Sequence, residues 1–132
     1  MNFIYMVFNI NKNITMYEIA KPLQLYETLY NECKNSKNKL RAQQKKTCVA
    51  KVKDLDGIGY ERLYLLIKSY QINNESDHSY IYPYGGEANG SDITFNIDRI
   101  PLILSHMIYK FVNLHHKKMK EDKIKINNCI SI

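Results

Sequence analysis

Four histidines (His78, His106, His115 and His116) and three cysteines (Cys33, Cys48 and Cys129) are the residues best suited to hold a metal or act as nucleophiles. A structural zinc site gathers about four such ligands, some of them close together in sequence. Here the cysteines lie 15 and 81 residues apart, and His115 and His116 are adjacent, so they cannot share one helix face. The spacing predicts no metal site and no cofactor. Ser105 beside His106 is not a nucleophile and its base, because that chemistry needs convergence in space and a third, orienting group. Gly57-Ile58-Gly59 lacks the third glycine of a dinucleotide fingerprint, and no Lys-Ser or Lys-Thr follows Gly85-Gly86 to make a phosphate loop. Asp54 and Asp56 could bring two carboxylates together, but an exposed loop accounts for them more simply. The chain is therefore expected not to be an enzyme.

Charge is more informative than catalysis. The 132 residues carry 19 Lys or Arg against 13 Asp or Glu, a net +6. Residues 1–53 hold 10 basic and 3 acidic side chains, residues 54–109 hold 3 and 8, and residues 110–132 hold 6 and 2. An acidic middle thus lies between two basic ends, an asymmetry that bears on partners rather than fold. Eight basic side chains and no acidic one fall between Lys34 and Lys53. Within that stretch Lys37, Lys39, Arg41, Lys45, Lys46, Lys51 and Lys53 are candidates for phosphate contacts. Lysine outnumbers arginine 16 to 3, which favours point-charge contacts over the bidentate fork that reads base edges. The odd cysteine count fits a reducing, intracellular setting. Met1 to Ile10 is apolar but too short to span a bilayer, and it lacks the basic flank of a secretory signal.

These residues must be positioned by a small, mostly helical α+β fold. Phe3 to Ile10 reads as a short strand, and Thr15 with Glu18 forms a capping-box pattern. From Pro22, the residues Leu25 or Tyr26, Leu29 and Cys33 recur at helical spacing, predicting a helix over 22–33. Residues 34–53 read as a linker or an exposed basic helix, with Lys39 to Lys46 able to resume helical periodicity. Tyr60, Leu63, Tyr64, Ile67 and Tyr70 or Gln71 mark one face of a helix over 59–71, with Leu66 broadening the stripe. A polar loop follows, then a short extended piece at Tyr80-Ile81-Tyr82 and glycines suited to turns at Gly85-Gly86 and Gly90. Ile93, Phe95 and Ile97 alternate with Thr94 and Asn96, a strand signature. A last helix over 99–116 opens near Asp98 as its cap and ends in a basic His115-His116-Lys117-Lys118 turn. The expected organisation is a strand and helix with a basic extension over 1–53, a helix–loop–strand–helix unit over 54–116, and a charged tail over 117–132.

Two blocks of the middle unit carry a resemblance. Asp54-Leu55-Asp56-Gly57-Ile58-Gly59-Tyr60-Glu61-Arg62-Leu63 and Ser91-Asp92-Ile93-Thr94-Phe95-Asn96-Ile97-Asp98, the latter followed by Ile100, Pro101, Leu102 and Leu104, resemble the extra-terminal (NET) domain of bromodomain extra-terminal and related chromatin proteins. The resemblance covers residues 54–112. It implies a docking strand beside which a partner peptide alternating lysine with apolar residues adds, through strand pairing and complementary charge. Carried over, Ile93, Phe95 and Ile97 would be the apolar strand positions and Asp92 an acidic one. Thr94 and Asn96 stand where the family usually has acidic residues, which thins the charge available to read lysine. The expectation is a protein-interaction module binding a basic, apolar peptide along a free edge at 93–97. The alternative is a nucleic-acid-binding accessory protein using the basic 34–53 stretch. Neither reading calls for a membrane or a metal.

Overall fold

The structure, a computed structural model, describes residues 5–9, 23–76 and 81–130. In chain order its elements are strand β1 (Tyr5–Asn9), helices α1 (Leu23–Cys33), α2 (Ala42–Lys53) and α3 (Gly57–Asn74), strands β2 (Glu87–Asn89) and β3 (Asp92–Asn96), a 3-10 turn (Ile97–Arg99), and helix α4 (Leu102–Ile130). The predominantly helical α+β class is as expected. The Thr15 and Glu18 capping pattern and Tyr80 lie outside the described residues.

Each helix follows from a local cause. In α1, Tyr26, Leu29 and Cys33 are buried at three- and four-residue spacing, and the N–H of Lys34 closes the last turn on the Tyr30 carbonyl. At the start of α2, Gln44 Oε1 accepts from the Arg41 N–H at 2.8 Å, and Cys48 and Val52, one turn apart, are fully buried. The basic 34–53 stretch is therefore a loop and an anchored helix rather than a linker. Asp56 caps α3, its Oδ1 accepting from the Gly59 N–H at 2.7 Å. The run Leu63 to Ile67 is buried without interruption, so α3 is enclosed on most sides at its middle.

Helix α4 departs most from expectation. It runs 29 residues, which at ~1.5 Å per residue is about 43 Å. Leu104, Met107, Ile108, Phe111, Val112 and His115 form its buried face. The predicted stop after His116 is absent: the helix continues through the whole basic tail, exposed from Lys117 to Asn128 except at half-buried Met119. No glycine or proline occurs from Leu102 onward to break it. Asp98 is not its cap either. The Asn96 side chain accepts from the Asp98 N–H at 2.9 Å, while the Asp98 carboxylate pairs with Lys45 at 2.6 Å.

The strands form one antiparallel sheet in the order β1-β3-β2. Gly90, at φ 66°, turns the chain between β2 and β3, a left-handed value that glycine adopts without penalty. Helices α1, α2 and α3 all pack against α4. Tyrosines belong to this core. Tyr26, Tyr64 and Tyr70 are buried, and Tyr82 meets Tyr64 edge-on at 6.2 Å between ring centres. The described residues before 54 are thus part of the same packed unit as 54–116.

Candidate functional site

The strand singled out by sequence is the central one of the sheet. Ile93 and Phe95 are buried on the face of β3 turned to the core, and Ile97 is buried just beyond its end. Thr94 and Asn96 are half-buried on the other face, and Asp92 is exposed. The expected free edge at 93–97 is covered. β1 pairs with β3 along all five residues, Tyr5 opposite Asn96, Met6 opposite Phe95, Val7 opposite Thr94, Phe8 opposite Ile93 and Asn9 opposite Asp92. On the other side β2 pairs Glu87 with Thr94, Ala88 with Ile93 and Asn89 with Asp92. With both edges of β3 hydrogen-bonded, no partner strand can add to it while β1 is in place. The sequence offered no sign of this, since the covering strand lies about ninety residues upstream.

Asp92 is the first residue of β3, beside the turn from β2, and its carboxylate makes no ion pair among the described residues. Close by is Tyr60, whose hydroxyl donates to the Lys53 carbonyl at 2.9 Å. Burial raises the Tyr60 pKa, and the nearby carboxylates of Asp54 and Asp92 raise it further. Two carboxylates thus act on one spot where β3 begins and α2 meets α3.

A second arrangement lies beneath that spot. His115, buried within α4, reaches Asp56 Oδ1 through Nε2 at 2.8 Å. At that distance from a carboxylate, Nε2 carries the proton and donates it. Asp56 therefore caps α3 and holds α4 with one oxygen. Burial pushes the Asp56 carboxyl pKa up, but the hydrogen bonds from His115 and the Gly59 N–H outweigh it and hold it below the ordinary 3.8. Gly59 makes the room, since a Cβ there would lie 2.9 Å from the His115 ring. His115 is thus a mid-helix, buried residue rather than part of a basic helix end. The Asp56 and Gly59 spacing signalled a helix entry, but nothing nearby pointed to a histidine 59 residues on.

The basic candidates divide. Lys45 is drawn to Asp98, and Lys51 donates to Asn113 Oδ1 at 2.5 Å. Lys37, Lys39, Arg41, Lys46 and Lys53 remain exposed. Lys39 and Lys45 border a cavity of about 300 Å³ that also touches Ile97, Asp98 and Ser105. The Lys45–Asp98 pair offsets one of its two positive charges and leaves that of Lys39. Of the other chemistry-bearing residues, His106 lies 2.7 Å from the Asn38 carbonyl, and Cys33 and Cys48 are buried free thiols. Burial pushes Cys48 up to about 12, leaving it protonated and unreactive at neutral pH. Among the described residues no three His, Cys, Asp or Glu side chains gather as metal ligands, and no helix is long and apolar enough to cross a membrane. Comparison with protein-family models, curated proteins and solved structures finds no match to the chain.

Proposed function

We propose that the protein is a protein-interaction module that takes up an extended segment beside β3, and that Tyr5–Asn9 fills this place in the free chain. The supporting observation is the asymmetry of the β1–β3 pair. On the outer face of the pair, β1 leaves Tyr5 and Val7 45% and 37% exposed, whereas Thr94 and Asn96 of β3, which they face, are half-buried. Burying one methionine contributes about 1.5–3 kcal/mol, and each ladder hydrogen bond about 0.5–1.5 kcal/mol net. Over five paired residues these contributions reach several kcal/mol, so a partner must match that hold before it can exceed it.

Being part of the same chain, β1 competes at high effective concentration, so a partner must add something that β1 lacks. β1 has no charged residue. A lysine at the position of Asn9 would face Asp92 across the ladder, with Asp54 adding its field nearby. An apolar residue at the position of Met6 would meet Phe95. A segment alternating apolar residues with lysine therefore fits the place better than β1 does, at one end.

The test is titration of such a peptide into the whole chain, a chain lacking residues 1–9, and the shortened chain carrying Asp92→Lys, each checked for helix content. The shortened chain is expected to bind most tightly and both others more weakly. A folded shortened chain that binds no better than the whole one overturns the reading.

A further inference from the structure

We infer that the outer face of α2 and the projecting end of α4 form one basic track for the phosphate backbone of a nucleic acid, a site separate from the strand place. The two helices run side by side in the same direction. Lys45, near the start of α2, meets Asp98 just before α4, and Lys51, later in α2, meets Asn113 well along α4. The exposed residues of α2 include Gln43, Lys46, Ala50 and Lys53, spaced to share one face with no acidic member. Where α2 ends, Asp54 comes within 3.9 Å of His116. Asn113 and His116 thus mark the side of α4 that turns toward the end of α2. Lys117, Lys120 and Lys123 follow at four- and seven-residue steps and continue that side beyond the body, all exposed.

Lys46, Lys53, Lys117, Lys120 and Lys123 therefore succeed one another along a line, and none forms an ion pair among the described residues. Helical rise puts the line at roughly 25 Å, about seven phosphate steps along one strand of a duplex. Asp122 lies about 160° round the helix from Lys120, while Glu121 lies one turn beyond Lys117 and about 40° from it, so the track passes Glu121 on the Lys120 and Lys123 side. Two acidic residues border it, Asp54 at the join and Glu121 one turn beyond Lys117. A row of point charges with no aromatic among them suits a repeating backbone rather than exposed bases. Lys37, Lys39 and Arg41, exposed in the loop before α2, extend the positive surface at the other end.

The test uses the whole chain with labelled mixed-sequence duplex DNA, the same sequence as duplex RNA, and poly-glutamate as a non-nucleic polyanion. Binding to one or both duplexes is expected, weakening steeply with salt. Lys120→Gln with Lys123→Gln should weaken it about ten-fold at moderate salt and lower the salt slope by about two phosphate contacts. The charge-matched pair Lys118→Gln with Lys125→Gln, on the opposite side of the same helix, should have little effect. DNA against RNA preference identifies the nucleic acid. Equal loss from both pairs, tighter binding of poly-glutamate than of either duplex, or no duplex binding at low salt overturns the track.

Discussion

The two halves of α4 are one continuous helix put to opposite uses. Up to His115 it offers Leu104, Met107, Ile108, Phe111 and Val112 to three other helices, and these side chains are almost wholly buried. After His116 it touches little of the body, with Ile124 and Ile126 each 59% exposed among five lysines. Backbone hydrogen bonding is the same in both halves, so what separates them is what packs outside the helix. Packing supplies most helix stability in proteins, so the inner half is fixed by tertiary contacts and the outer half by propensity and continuity with it. Lysine, glutamate and the absence of glycine or proline make that continuation favourable.

Substitution should separate the halves clearly. Phe111→Ala, deep in the inner half, is expected to cost about 3–5 kcal/mol by chemical denaturation. At the junction, Gly59→Ala drives a methyl into the His115 ring and should cost about 1–3 kcal/mol, the overpacking range, in the same measurement. Asp56→Ala removes the α3 cap and the His115 acceptor together, for about 0.5–2 kcal/mol from the cap alone. In the outer half, Ile126→Ala should shift stability by no more than about 0.5 kcal/mol. A large loss at Ile126 would mean that the projecting half is packed after all, and the contrast would fail.

Acid sharpens the junction further. The Asp56 pKa is depressed in the folded state, so its contribution is present above the unfolded value near 3.8 and is lost as pH falls from there through the folded value. Asp56→Asn keeps a capping oxygen but removes the charge. Its stability should therefore fall less steeply than that of the unaltered chain below pH about 4, as followed by denaturation at stepped pH. Parallel acid limbs for the two proteins would assign the Asp56–His115 contact no electrostatic share.

Local patterns were legible where a residue's partners lie within a turn or two. Leu63, Ile67 and Tyr70 marked α3, and Ile93 and Phe95 marked β3, because burial repeats at the period of the element. The α1 stripe of Tyr26, Leu29 and Cys33 was read for the same reason. The end of α4 was misread because His115-His116-Lys117-Lys118 resembles a basic last turn, and only distant Asp56 explains why His115 lies inside. The role of α2 was obscured because just Cys48 and Val52 carry its buried side. At the candidate site, the alternation of β3 was visible and its covering was not, since strand pairing across the chain leaves no periodic trace in either segment.

The β1–β3 ladder also sets an order of events during synthesis. Met6 and Phe95 face each other across it at positions 6 and 95. At about 5–20 residues per second, the ribosome makes β3 roughly 4–18 s after β1. Throughout that interval Tyr-Met-Val-Phe-Asn is an uncharged strand with its pairing groups unmet, the kind of segment that nascent-chain chaperones and neighbouring chains can engage. The earliest made of the described strands thus waits longest for its partner.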